Sequence, residues 1–155
     1  MDRIDTAGFE VSLSLRLPRD RHSVPVVRHL TSHALKEVGV LGDIAADVEL
    51  AMAEACANVL NHAGPGDVYE VSITISRDMC DIRVTDVGRG FDYASLRRGM
   101  ADPEAENGRG VALMHALVDQ VLFTSEPEQG TIVHLVKRLA FADGLATPGS
   151  PLRGR

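Results

Sequence analysis

Strict period-two alternation constrains this chain more than any other feature. Phe9, Val11, Leu13, Leu15 and Leu17 alternate with mostly polar residues. Tyr69, Val71, Ile73 and Ile75 repeat the pattern, and Cys80, Ile82 and Val84 repeat it after Arg77-Asp78. Successive side chains on a strand point to opposite faces, so each run predicts a strand with one covered and one wet face. Two such runs joined by a short polar turn predict a hairpin. Val121 to Thr124 and Thr131 to Leu139, around Pro127-Glu128-Gln129-Gly130, predict a last pair of strands.

Between the strands the apolar period lengthens. Pro18-Arg19-Asp20-Arg21 breaks the first run. Ser23 reads as an N-cap with Pro25 in the first turn, and Val26, Val27, Leu30, Ala34, Leu35 and Val38 form a helical stripe that stops at Gly39. Asp43 reads as the cap of a second helix, with Ile44, Val48, Ala51, Ala55 and Val59 inward and Gly64-Pro65-Gly66 ending it. Residues 93 to 107 hold few large apolar side chains and read as a mobile loop. A third helix is predicted from Arg109 to Val121, with Val111, Met114, Leu117, Val118 and Val121 inward. The order predicts an α+β fold: a two-layer sandwich, a mostly antiparallel sheet with helices on one face. Residues 1–8 are expected to be an N-terminal extension, 9–140 the domain, and 141–155, rich in Gly and Pro, a disordered tail.

Four short motifs carry the chemistry. Glu54 and Asn58 are four apart, so they share a face of the second helix, with Asn61 and His62 a turn further on. A carboxylate and an amide projecting together suit a Mg²⁺-nucleotide, because Mg²⁺ bound with phosphates uses few protein ligands; a polar helix face in solvent reads the same way. Glu54 could act as general base toward a hydroxyl. Asp86 falls on the covered face with Ile82 and Val84 and there needs a donor, such as an adenine amino group. Gly88 and Gly90 would let backbone approach a flat base; Asp and Gly are also ordinary turn residues. Gly108-Arg109-Gly110 opens the third helix, where backbone N–H groups attract phosphate. Thr131, after Gly130, could bond a base or a bridging water, though Thr is common in strands. In this order, within one small domain, the motifs describe an ATP site. It is not a P-loop, since no G-x-x-x-x-G-K-[ST] occurs.

Bulk properties remove other classes. A net charge of −6 argues against direct nucleic-acid binding, which needs a basic surface. No apolar run approaches the roughly 18 residues that span a bilayer, and the N-terminus lacks a basic-then-apolar leader, so no membrane association and a cytoplasmic location are expected. Cys56 and Cys80 stand in unrelated contexts and read as small buried hydrophobes.

Taken together, Glu54-Ala-Cys-x-Asn58-x-x-Asn61-His62-Ala63, Val-Thr-Asp86-x-Gly88-x-Gly90-Phe91, Gly108-Arg109-Gly110-Val-Ala-Leu-Met and Thr131 resemble the GHKL (Bergerat-fold) ATPase superfamily. Within it, they look most like the anti-sigma factor serine-protein kinases of bacteria. A histidine-kinase N-box would carry Asn and a later Lys; here Glu54 stands at the base position and Asn61 replaces the Lys. The resemblance spans about residues 9 to 139. It implies that Glu54 activates a serine hydroxyl on a partner, Asn58 holds Mg²⁺ between the phosphates, and Asp86 accepts from the adenine amine, with Gly88 and Gly90 shaping that pocket. Asn61 and His62 would flank the nucleotide, and residues 93–107 would form the ATP lid. Gly108, Arg109 and Gly110 would lie along the phosphates and Thr131 near the base. The implied cofactors are ATP and Mg²⁺. The implied partners are a sigma factor, a STAS-type anti-sigma factor antagonist as phosphoryl acceptor, and a second copy in a homodimer, with Arg28 as a partner contact by analogy. The alternative is a partner-switching module that binds nucleotide without transferring phosphate. The ATP-binding half of a histidine kinase is disfavoured by the N-box and by the lack of a preceding helical pair.

Overall fold

The computed structural model describes residues 9–62, 68–86, 106–126 and 130–142. The elements run β1 (Glu10–Pro18), α1 (Ser23–Glu37), α2 (Gly42–His62), β2 (Val68–Ser76), β3 (Met79–Asp86), α3 (Glu106–Leu117), β4 (Gln120–Glu126) and β5 (Gly130–Arg138). The strands form one sheet in the order β1-β2-β3-β5-β4, every pair antiparallel. One sheet face carries the buried residues of the alternating runs: Val71, Ile73 and Ile75 on β2, Cys80, Ile82 and Val84 on β3, Val133 and Leu135 on β5. Val27 and Leu35 of α1, Val48, Ala51, Met52, Ala55, Cys56 and Val59 of α2, and Val111 and Met114 of α3 close over them. The fold is the α+β sandwich that the alternation predicts. A fully covered aliphatic side chain contributes roughly 1.5–3 kcal/mol, so this core offsets the cost of the few polar groups buried beside it. No helix among the described residues is long and apolar enough to cross a membrane.

The turn between α1 and α2 fixes their pairing. Gly39 adopts φ 84°, a left-handed conformation that glycine reaches without a Cβ clash. Its N–H bonds to the Lys36 carbonyl, and the Val40 N–H bonds to that of Leu35. This is a Schellman stop, sealed by the buried contact of Val40 and Leu35. Val40 also bridges Phe141, and the Ala142 N–H bonds to the Gly39 carbonyl. Phe141 and Ala142 are thus tied to this turn, although the sequence places them in the tail; residues 143–155 lie outside the described residues.

Several local expectations need correction. Ser23 is the first residue of α1 and His22 occupies the cap position without a capping side chain. The Ser23 hydroxyl instead bonds to the Asp20 carbonyl and to the Tyr69 hydroxyl. The buried stripe of α1 runs Ser23, Val27, Thr31, Leu35, whereas Val26 and Leu30 are exposed at 47% and 42%. Thr31 tolerates burial because its hydroxyl bonds the Val27 carbonyl one turn back. Asp43 lies inside the first turn of α2, where its carboxylate accepts from the Ile44 N–H. The third helix starts at Glu106, three residues before expected, and ends at Leu117. Its end is set by Lys137, whose ammonium reaches the Leu117 carbonyl at 2.7 Å, and by Asp119, whose N–H joins the Val136 carbonyl. Val121 consequently faces the core from β4 rather than from a helix.

Candidate active site

Helix α2 packs against α1, α3, β3 and β5 and presents Glu54 and Asn58 one turn apart. Asn58 is buried, and its amide nitrogen has no hydrogen-bond partner among the described residues. Glu54 is half-buried and Asn61 exposed; His62 is the last residue of α2, its side chain outside the described residues. The Glu54 carboxylate lies against α3 at Gly110: a Cβ there would fall 2.8 Å from Glu54 Oε2. A glycine inside a helix costs about 1 kcal/mol relative to alanine; here its bare backbone makes room for a carboxylate. The structure thus joins the first and third motifs. Gly108 lies in the first turn of α3, and Arg109 is exposed. Gly88, Gly90 and residues 93–105 of the expected lid lie outside the described residues, while Glu106 and Asn107 belong to α3.

The second motif meets the fourth across the sheet. Tyr69 on β2, Asp86 on β3 and Thr131 on β5 form one cross-strand row. Directly opposed residues share a face, and all three are buried, at 0%, 0% and 1% exposure. Alternation therefore places Asp86 on the covered face correctly. Neither Asp86 oxygen has a hydrogen-bond partner among the described residues. Burial raises its carboxyl above the ordinary value, and the positive charge of Arg19 offsets only part of that rise. Such a group accepts hydrogen bonds and is held where water does not compete.

Arg19 is what the sequence reading missed. It stands just beyond β1, with Nη1 3.8 Å from Asp86 Oδ1 and Nη2 donating to the carbonyls of Val59 and Leu60 at 3.2 and 3.4 Å. In the sequence it is one of three consecutive charged residues after Pro18, a run that reads as a solvated turn. The alternation marks Tyr69 only as a strand residue, yet its hydroxyl ties β2 to the start of α1 through Ser23.

The description of histidine kinase-like ATPase domains matches residues 17–137 of this chain. Among similar proteins, the serine-protein kinase RsbW of Halalkalibacterium halodurans is 28% identical over 137 residues, covering 83% of each chain. A serine-protein kinase RsbW of Bacillus cereus is 28% identical over 119 residues, 70% of this chain and 74% of that one. The crystal structure of the RsbU and RsbW domains of Rv1364c from Mycobacterium tuberculosis superposes with a TM-score of 0.66 at 21% identity. That likeness covers 88% of this chain and 35% of the solved one, and it concerns the fold. The match spans most of the chain: this protein belongs to the family of histidine kinase-like ATPase domains.

Proposed function

We propose that this protein is an anti-sigma factor with serine-protein kinase activity, which binds Mg-ATP, phosphorylates a serine of a STAS-type antagonist and sequesters a sigma factor. The residues present fit a nucleotide. Asp86 is a buried carboxylate with open acceptor positions, suited to the amino group of adenine, with Thr131 beside it. Asn58 is buried, with its amide nitrogen lacking a hydrogen-bond partner among the described residues; its amide oxygen is the hard ligand that would serve Mg²⁺. The metal would supply charge neutralisation among the phosphates. Arg109 is exposed on α3 and would add positive charge toward the phosphates.

The observation that carries the kinase reading is the seat of Glu54. Its carboxylate lies against Gly110 and the residue as a whole is only half-buried, which supports a base that is held in place yet open to a protein hydroxyl. Glu54 would take the proton of the attacking serine, and the rest of the site would contribute positioning and electrostatics. Selection of a sigma factor and an antagonist, and a homodimeric state, are part of the same proposal and rest on the motif resemblance.

Incubation with γ-labelled ATP and the cognate antagonist tests it. Wild type should transfer label to the antagonist. Glu54→Ala should abolish transfer and still bind ATP. Tight complex formation by wild type without transferred label would show a non-catalytic partner-switching module instead.

A further inference from the structure

The guanidinium of Arg19 touches two parts of the site at once. Nη2 donates to the carbonyls of Val59 and Leu60 in the last turn of α2, the helix that carries Glu54 and Asn58. Nη1 faces Asp86 at 3.8 Å, an ion-pair separation too long for a hydrogen bond. The Arg19 side chain is 10% exposed and that of Asp86 is fully buried, so solvent screens this pair little. The carboxylate is thereby compensated in charge while both oxygens keep their acceptor capacity.

The protonation state of Asp86 decides what it can recognise. An ionised carboxylate only accepts hydrogen bonds, whereas a protonated one also donates. Adenine presents an exocyclic amino group where guanine presents a carbonyl. A buried carboxyl with no nearby cation takes up a proton. No other positive group faces Asp86 from the row it lies in: Tyr69 on β2 is neutral, its hydroxyl pushed up by burial, and Thr131 on β5 does not ionise. From α2, Cys56 remains a thiol, pushed up to about 12 by burial. Asn58 is uncharged, and Glu54 would only add negative charge.

We propose that Arg19 is a positioning residue that holds Asp86 as an acceptor-only carboxylate, and so sets the preference of this site for a base that presents an amino group toward Asp86 over one that presents a carbonyl at the same position. The inference rests on the reading of the site as a nucleotide pocket.

The test follows ATP and GTP binding by calorimetry from about pH 5 to about pH 8 for wild type, Arg19→Met and Arg19→Lys. In parallel, the Asp86 carboxyl is titrated by carbon NMR in the nucleotide-free protein. For Arg19→Met we expect the carboxyl midpoint, and the pH below which ATP binding is lost, to rise by at least about one unit. Its ATP-over-GTP preference should shrink about tenfold. Arg19→Lys keeps the charge without the fork, so its pH profile should stay near that of wild type. Superimposable profiles for wild type and Arg19→Met would overturn the proposal. Absence of binding by wild type would overturn the nucleotide reading and the base preference with it. The carboxyl titration would then still decide whether Arg19 keeps Asp86 charged. If Arg19→Met does not fold, a wild-type carboxyl that stays protonated at neutral pH overturns the proposal by itself.

Discussion

At the end of β3 the site is sealed, and at the start of α3 it is open. Asp86 and Thr131 are almost wholly removed from solvent, and the compensating cation is itself mostly covered. Glu54 is half-buried, and Arg109 and Asn61 are exposed. The two ends also fix their key carboxylates differently. Asp86 is held on a strand, in register with its neighbours, and is balanced by charge. Glu54 is held on a helix by the absence of a side chain at Gly110. The difference follows from the tasks proposed for them. Reading a base requires a desolvated acceptor set before the ligand arrives. Transfer to a protein requires that a partner's hydroxyl reach the base, so that carboxylate can be confined only by shape.

Replacing Asp86 should expose the contrast most sharply. Asp86→Asn keeps the volume and removes the charge. Loss of a charge-assisted hydrogen bond of about 1.5–3 kcal/mol predicts roughly a hundredfold weaker ATP binding, measured by calorimetry. Stability should move the other way with pH. The folded Asp86 carboxyl lies above its ordinary value of 3.8 because of burial. Its contribution to stability is therefore fully present below that ordinary value and is lost as pH rises through the raised folded value. Asp86→Asn does not suffer this loss, so its denaturation midpoint relative to wild type should climb as pH rises across that window. A gap that stays constant with pH would mean that Arg19 fully compensates the buried charge.

The sealed end is more legible in the sequence than the open one, for physical reasons. Period-two alternation reports burial directly, and it places Asp86 on the covered face and the hairpin around Arg77-Asp78. The face shared by Glu54 and Asn58 is legible because helical spacing alone brings them together. The stripe of α1 is misread because two of its four buried positions, Ser23 and Thr31, are polar and are satisfied by hydrogen bonds that no hydrophobic pattern reveals. The start of α3 is placed late because Gly108 and Gly110 are poor helix formers, and the contact that explains Gly110 is made by a residue 56 positions earlier in the chain. Arg19 is invisible for a similar reason: nothing local distinguishes a buried guanidinium from the charged residues that follow it.

Gly110→Ala should break the open end without harming the fold. Its backbone needs no left-handed conformation, since the one positive φ among the described residues belongs to Gly39. The added methyl meets only the far end of the Glu54 side chain, which can move by a few tenths of an ångström. Helix propensity favours alanine by about 1 kcal/mol, so the melting temperature should hold or rise. Phosphoryl transfer should fall about tenfold, as small displacements of a catalytic group cost rate, while ATP affinity changes little. Unchanged transfer in a stable Gly110→Ala protein would mean that the seat of Glu54 does not matter to the chemistry.

The smallest expected effect separates two neighbours within the sealed end. Tyr69 and Asp86 are directly paired across β2 and β3 and are equally buried, yet their polar atoms have opposite fates. The Tyr69 hydroxyl is already engaged with Ser23 at the start of α1, and the Asp86 oxygens are not engaged by any hydrogen-bond donor among the described residues. A satisfied hydroxyl holds elements together, whereas an unsatisfied carboxylate at the same depth is available to a ligand. Tyr69→Phe keeps the ring in the core and leaves the Ser23 hydroxyl its bond to the Asp20 carbonyl. The cost should be about 1 kcal/mol, or about 3 °C in melting temperature for a domain of this size, with ATP affinity and the ATP-over-GTP ratio unaltered. If Tyr69→Phe weakened ATP binding as Asp86→Asn does, the cross-strand row would act as one unit, and the division between a structural and a ligand-facing residue would fail.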